Sequence, residues 1–478
     1  MKIMKLESWN EFMKFDAQVI VEEQQKEFND LVTYAKELAV NLDKSIIKIP
    51  EDTSLDVLIR NECLLENIAD KLRFEWQKKA FYKSAPLYKS PPEGTIIKTN
   101  SSKVVEYGYE RNITMRSFEK DIHIEHNGFN SFTLLYSSAM SGLLSIIHAV
   151  EKLLKKKDRL KGGFIGGYFE SLFLSQEISN SWIEFKCYAN EKNDDIIKDY
   201  KTFNFIVIEP VKYNFNLEVT DIDFIMEQLA YKENEKILFL IVDSTLLGNS
   251  FPLKKLLASV NQLPNVILIN LRSGLKMDQQ GLEFSNVGIA SFYFPKNMEH
   301  LVENIHDYLE GNRGILGTGL SFYECCLIDF PSFGKECVYS DKILENNLDF
   351  SRQIIKGKNN IIKEVLHPGL LGDTNAYHRA PFIFLKLNTE SSLDYELVVK
   401  VIQTQCMKMG LVIPVRNSYG FRNICIQYIK TVERKPKLVL KIAVGKIKGI
   451  KFFAVLDIIN KISEYNSFCD LRKLLLYD

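Results

Sequence analysis

The stretch NVILINLRSGLK, Asn265 to Lys276, runs almost wholly apolar residues into a polar turn that carries Arg272, Ser273 and Lys276. Three other stretches have the same character: FNFIVIEP ending at Pro210, KILFLIVD ending at Asp243 and GIASFYF ending at Phe294. Amphipathic helical patterns separate them. Continuous apolar runs in alternation with helices indicate a mostly parallel sheet with both faces buried, so the fold class expected is α/β.

Outward from this core the pattern changes on both sides. Upstream, Trp9, Phe12 and Met13, then Phe28, Leu31, Val32 and Ala35, recur at helical spacing among many Glu and Lys. The stretch SPPEGTIIKTNSS, Ser90 to Ser102, breaks helices and favours extended chain, which places a boundary there. Downstream of about Thr318 come helices, two apolar runs (PFIFLKL from Pro381, LVLKIAVG to Gly445) and a helix near Phe452 to Tyr465. The expected division is a helical N-terminal region over 1–100, a large domain over 101–325 and a smaller C-terminal α/β domain over 326–478. The basic run KLLKKK, Lys152 to Lys157, reads as a solvated helix end.

Composition narrows the partners. The 478 residues hold 61 Lys plus Arg against 61 Asp plus Glu, so no net field favours nucleic acid or an acidic membrane. Apolar residues at 46% and charged residues at 26% are ordinary for a globular chain, and a small-molecule partner is the default. The 8 cysteines include adjacent Cys325 and Cys326 but no C-x-x-C pair, which fits neither a disulfide scaffold nor a zinc site; no metal is expected. The opening MKIMKLESWNEF lacks the apolar core of a signal peptide, and no apolar run reaches bilayer length, so the cytoplasm is the expected compartment.

Ligands of parallel α/β sheets bind outside the carboxyl ends of the strands, which singles out Asp243 and the turn from Arg272 to Lys276. A carboxylate there can pair with a protonated pyridine nitrogen, and a lysine on a neighbouring strand end can form an imine with an aldehyde. Pyridoxal phosphate needs both. Small residues from Ser137 to Gly142 precede an apolar helical pattern, where free N–H groups could bind phosphate; an ordinary serine cap is the alternative.

Several segments, in order, resemble the cystathionine gamma-synthase family of fold-type I pyridoxal-phosphate enzymes, from about Tyr107 onward. YGYERNITMRSFE is similar to the family's Y-x-R-x-x-N-P-T-x-x-x-L-E at Tyr107, Asn112, Thr114 and Glu119, with the arginine displaced to Arg111. Ser137, Ser138, Ala139 and Met140 resemble its phosphate loop, and Tyr168 to Ser171 its Y-G-G-T segment, with Phe169 and Glu170 in place of two glycines. EPVKYN loosely resembles E-x-P-x-N-P, with Asn214 as the equivalent asparagine, and Asp243, Ser244, Thr245 resemble D-N-T. Ser273 to Lys276 resembles S-x-T-K, EVLHPGLLG (Glu364 to Gly372) resembles V-x-Y-P-G-L, and Ser418 to Phe421 resembles S-L-G-G. KIAVG, Lys441 to Gly445, resembles the R-L-S-V-G strand, with lysine where the family has the arginine that binds the substrate carboxylate.

The resemblance implies a fold-type I large domain with a mostly parallel sheet between helices, plus the smaller C-terminal domain. It implies pyridoxal phosphate held by Lys276 as a Schiff base, with Asp243 at the ring nitrogen and Tyr168 stacked on the ring. Ser138, Ala139, Met140, Asn214, Thr245, Ser273, Tyr107 and Arg111 complete the cofactor set it implies. Ser418 and Lys441 would meet the substrate. Lysine lacks the planar fork of arginine, so Arg422, or else Arg416, is a candidate substitute. His367 and His378 near the small-domain entrance read as structural unless partnered. The implied activity is beta- or gamma-elimination, or gamma-substitution, on an amino acid, specialised away from ordinary cystathionine metabolism. The implied assembly is a homodimer or homotetramer that shares its sites, with Tyr107 reaching a neighbour's phosphate. An aminotransferase and a non-catalytic scaffold or binding subunit are the alternatives.

Overall fold

The computed structural model describes residues 16–42, 48–109, 112–154, 159–179, 183–188, 202–230, 236–335, 337–354, 360–372, 376–430 and 437–476. Its centre is a seven-stranded sheet in the order β4-β10-β9-β8-β7-β5-β6. The strands are β4 (Phe129–Tyr136), β5 (Leu160–Ile165), β6 (Ile183–Cys187), β7 (Phe205–Ile208), β8 (Leu238–Asp243), β9 (Val266–Ser273) and β10 (Gly288–Pro295). β5 to β9 pair in parallel, while β10 runs antiparallel to both β9 and β4. The four apolar runs that suggested a parallel sheet are β7, β8, β9 and β10, and the last of them is the strand that reverses.

Both sheet faces are covered, which is why these strands are apolar throughout. One face packs Leu134, Ile241, Ile269 and Phe292 against helix α4 (Ala139–Leu153) and the helix Glu299–Leu316. The other packs Leu240, Val242 and Leu268 against the helices Ile222–Ala230 and Leu253–Val260.

The C-terminal body is an antiparallel sheet in the order β11-β12-β14-β13, built from β11 (Ile362–Leu366), β12 (Ile383–Leu387), β13 (Cys425–Lys430) and β14 (Leu438–Ala443). The helix expected near Phe452 spans Ile450–Ser463. A third, three-stranded sheet joins β1 (Thr95–Lys98), β2 (Val104–Tyr109) and β3 (Asn112–Thr114), so pairing crosses the boundary expected at residue 100.

Helices α1 (Ala17–Glu37) and α2 (Leu55–Ser84) fill most of the helical region read upstream; Trp9, Phe12 and Met13 lie outside the described residues. These helices are shared between the two bodies. Ile20, Val21 and Leu58 sit in one core with Ile442 and Phe452, while Phe28, Leu31, Leu72 and Trp76 sit in another with Phe284 and Phe330. The Trp76 indole donates to the Leu327 carbonyl at 2.8 Å, which satisfies its buried N–H. Among the described residues no helix is long and apolar enough to cross a membrane.

Candidate active site

The turn after β9 is stapled before it presents its lysine. Arg272 donates to Asp278 through Nε at 3.1 Å and Nη2 at 3.0 Å, both side chains are buried, and Asn249 adds a hydrogen bond to the same carboxylate at 3.1 Å. Gln279 donates to the carbonyls of Gly274 and Ser285 and accepts from Ser285 N. Between these anchors Lys276 points its Nζ at Ser418 Oγ, 2.5 Å away, with the Tyr419 ring centroid at 5.3 Å. Burial pulls the Lys276 pKa below the usual lysine range, and the charges of Glu283 and Glu170 partly oppose this.

The end of β8 carries the other key group. Asp243 accepts the Thr245 N–H at 2.9 Å, and Thr245 Oγ1 in turn accepts Ser273 N at 3.0 Å, which binds the two adjacent strand ends together. Burial raises the Asp243 pKa, and its hydrogen bonds to Thr245 act the other way. Tyr419 feels Asp243, Tyr168, Tyr213 and Glu209, so one phenol marks where these groups converge; burial and then these neighbours push it well above the tyrosine range.

Tyr168 begins helix α5 (Phe169–Ile178), and its backbone is set by a residue the sequence reading passed over. Glu209, at the end of β7, accepts N–H groups from Gly167 at 2.9 Å, Tyr168 at 3.0 Å and Tyr213 at 2.9 Å. Burial lifts Glu209 to about 7 against the pull of those hydrogen bonds. The Tyr168 ring meets Tyr213 edge-on at 5.9 Å, and Tyr213 packs on Phe382 and Phe384 of the small domain. The site is therefore walled by aromatic rings where the two bodies meet.

A third corner lies at the N-terminus of α4. Ser138 caps α4: its Oγ accepts Ser141 N at 3.0 Å, and Ser141 Oγ accepts Ser138 N at 3.0 Å. The cap takes up the Ser138 hydroxyl but leaves the N–H groups of Ala139 and Met140 without acceptors among the described residues. Gly288 pairs with Ser273 in the β9–β10 register, and a Cβ on it would lie 2.2 Å from Ser138 O. Only glycine admits this approach, which sets Ser273, whose hydroxyl has no partner among the described residues, on the strand beside the α4 N-terminus.

On the small-domain side, Lys441 is buried in β14, donates to Asn417 O at 2.8 Å and lies 5.8 Å from the Phe382 ring centroid. Burial, together with the nearby charge of Lys276, lowers it to about 8 despite the opposing influence of Cys425. Arg422 does not join this group. It is buried on the far side of the Lys276 turn, ion-paired with Glu27 of α1 and donating to Gln280 O at 2.7 Å. Arg416 is bonded to Glu283 at 3.2 Å. Asn214 shapes its own loop, accepting from Asn216 N and Glu218 N and donating to Glu218.

Tyr107 is buried in β2 in the core shared with α2, so reaching a second subunit would require its ring to leave that core. Arg111 lies outside the described residues. His367 accepts Gly369 N at 3.1 Å and donates to Ala380 O at 3.1 Å, and burial lowers it to about 4, as befits a structural histidine.

No protein-family model matches the chain, and no curated protein sequence matches it. Solved structures do. Cystathionine gamma synthase from Xanthomonas oryzae pv. oryzae aligns at a TM-score of 0.56 and 13% identity, over 83% of this chain and 99% of that one. Cystathionine gamma-lyase from yeast aligns at 0.54 and 14%, over 82% and 98%. A methionine gamma lyase from Micromonospora echinospora aligns at 0.50 and 11%, over 69% and 82%. At these identities the likeness shows the fold, and the fold is the fold-type I architecture that the sequence motifs suggested.

Proposed function

We propose that this chain is a pyridoxal-phosphate-dependent enzyme that eliminates or replaces a group at the beta or gamma carbon of an amino acid. The observation that carries the reading is the placement of Lys276. It is a half-buried amine one turn past Ser273, whose N–H is tied to Thr245, two residues beyond Asp243.

The residues present fit the cofactor. The N–H groups of Ala139 and Met140 and the Ser273 hydroxyl would hold its phosphate, Asp243 its ring nitrogen, Tyr168 its ring face and Lys276 its aldehyde carbon. When bound, it supplies an electron sink for the alpha carbon of the substrate. The chain's own groups do the rest. Lys276, with its pKa lowered by burial, has a larger share of the neutral amine that can take the alpha proton. Lys441, whose charge acts on that of Lys276, is the cation for the substrate carboxylate, and the aromatic wall of Tyr168, Tyr213 and Phe382 excludes water.

Specialisation away from ordinary cystathionine metabolism belongs to the same reading, supported by Phe169 and Glu170 at the glycine positions, Leu275 before the lysine, and Lys441. So do a shared-site homodimer or homotetramer and a reducing compartment, the latter supported by eight free cysteines.

The test is the visible absorption of purified protein mixed with pyridoxal phosphate, in wild type and Lys276→Ala. A band present in wild type and lost in the variant supports the assignment, and release of ammonia and keto acid then identifies the substrate. Absence of the band in wild type would leave the scaffold reading standing.

A further inference from the structure

A second cleft, of about 330 Å³, opens between α1 and the helix Val338–Gln353 and reaches Gln280, four residues past Lys276. Gln280 is 2% exposed and holds a left-handed backbone, φ 54°, which a residue with a side chain keeps only where its surroundings impose it. Its Oε1 accepts from the Tyr34 hydroxyl at 3.2 Å, but its Nε2 is buried with no acceptor among the described residues. Arg422, 4% exposed, is in the same position. Glu27 takes its Nε and Gln280 O takes its Nη1 at 2.7 Å, while Nη2 is buried and unmatched. The guanidinium carbon lies 5.6 Å from the Tyr34 ring centroid and 5.8 Å from that of Tyr339, so Glu27, Gln280, Tyr34 and Tyr339, which all line the cleft, surround it. Buried donors are almost always matched, and two unmatched ones joined through Gln280 O call for an acceptor that the chain does not supply.

The charges decide which acceptor. Lys446 bonds Glu27 at 2.9 Å and also Asp30, Lys342 and Lys26 lie 3.3 and 3.6 Å from Glu23, and Arg422 adds a fourth cation to these three carboxylates. Despite its burial, Glu27 is held down to about 2 by Arg422 and Lys446, so it is ionised and the group carries one positive charge in excess. A single negative charge closes that balance, whereas a dianion overshoots it and a neutral ligand leaves the excess in place. The Tyr34 and Tyr339 rings offer apolar surface to a short carbon body.

We propose that this cleft is a binding site for a small organic monocarboxylate whose oxygens are received by Gln280 Nε2 and Arg422 Nη2. The terminal torsion of a glutamine is soft and two-fold, so rotation of the Gln280 amide turns its donor to the ligand and uncovers the one behind it. The site is separate from that of the cofactor and does not rest on the cofactor reading. It does share a wall with it: Tyr339 Oη donates to Gly420 O at 3.0 Å, two residues past the Ser418 that bonds Lys276, so the ligand braces the back of the lysine turn.

The full-length, cofactor-free protein is titrated by calorimetry with sodium propionate, butyrate and benzoate, and with inorganic phosphate for comparison. Wild type should bind at least one of the three carboxylates, and phosphate at least tenfold more weakly. Gln280→Glu keeps the side-chain shape, gives Arg422 Nη2 an acceptor and cancels the excess charge. It should lower carboxylate affinity by tenfold or more while melting no earlier than wild type. Gln280→Met, which removes the donor alone, should weaken binding about tenfold and is read in its place if Gln280→Glu does not fold. Lys441→Met tests for carboxylate held at the lysine site instead, and this binding should survive it. Loss of binding in Lys441→Met with none in the Gln280 variants overturns the proposal, as does a wild type that binds none of the three carboxylates or takes phosphate equally well.

Discussion

Thr245 Oγ1 accepts the backbone N–H of Ser273 at 3.0 Å, and this hydrogen bond extends the coupling of the strand end that carries Asp243 to the one that leads to Lys276, beyond the bond from Ser244 N to Leu271 O. Thr245→Val keeps the shape and removes the acceptor. An unmet, partly buried N–H costs about 1 to 3 kcal/mol. The expected result is a loss of roughly tenfold or more in pyridoxal-phosphate affinity by absorbance titration. Unchanged affinity would show that the strand ends hold their spacing without this bond.

Asp278→Asn should be among the most damaging changes near the site. It leaves the buried Arg272 guanidinium without its counter-charge, at a cost of about 3 to 5 kcal/mol. Chemical denaturation measures this directly. Arg272→Met/Asp278→Leu, which removes both charges, should recover most of the stability while leaving the lysine turn less well placed.

Glu209 gives a pH signature. Its pKa is raised by burial from an ordinary carboxylate value to about 7, so the folded state favours the protonated form. Its contribution is therefore fully present below the unfolded pKa of about 4.5 and is lost as the pH rises through about 7. The stability advantage of wild type over Glu209→Gln should be largest in acid and should shrink between those limits. Melting temperatures of the two proteins across that range check it, and a gap that widens with pH would contradict the assignment.

Lys441 makes a prediction in binding, with the same direction in pH. With its pKa lowered to about 8 by burial and by Lys276, it loses its charge as the pH rises through that value. Affinity for the substrate carboxylate should fall above it, read as a rise in the amino-acid concentration needed for the spectral change. Lys441→Met should weaken binding at neutral pH by roughly a hundredfold, the size of a lost charge-assisted contact, and should flatten the pH dependence.

What was legible in the sequence was what depends on neighbours along the chain. Apolar runs fixed β7, β8, β9 and β10 because a strand buried on both faces has little choice of residue, and the polar residues that end them included Asp243 and Lys276. The reversal of β10 was not legible, since an antiparallel strand buried on both sides has the same composition as a parallel one. Glu209 was within a quoted segment, yet its function as a triple acceptor depends on where three backbone N–H groups meet. Arg422 was misplaced for a related reason. Its partner Glu27 is 395 residues away, beyond any periodicity or motif, and nothing local distinguishes an arginine that meets a ligand from one buried against a distant helix.

The shared cores of α1 carry a consequence for how the molecule is made. Ile20 and Val21 pack with Ile442, Phe452 and Leu471, while Phe28 and Leu31 pack with Phe284 and Phe330. A helix whose partners are synthesised last has nowhere to bury its apolar face while the ribosome is still translating the central sheet. Contacts of such sequence separation are slow to close, and the waiting helix is an aggregation hazard until they do. Pausing or truncating translation before Ile442 should therefore leave a chain whose sheet can form but whose first helices recruit chaperones.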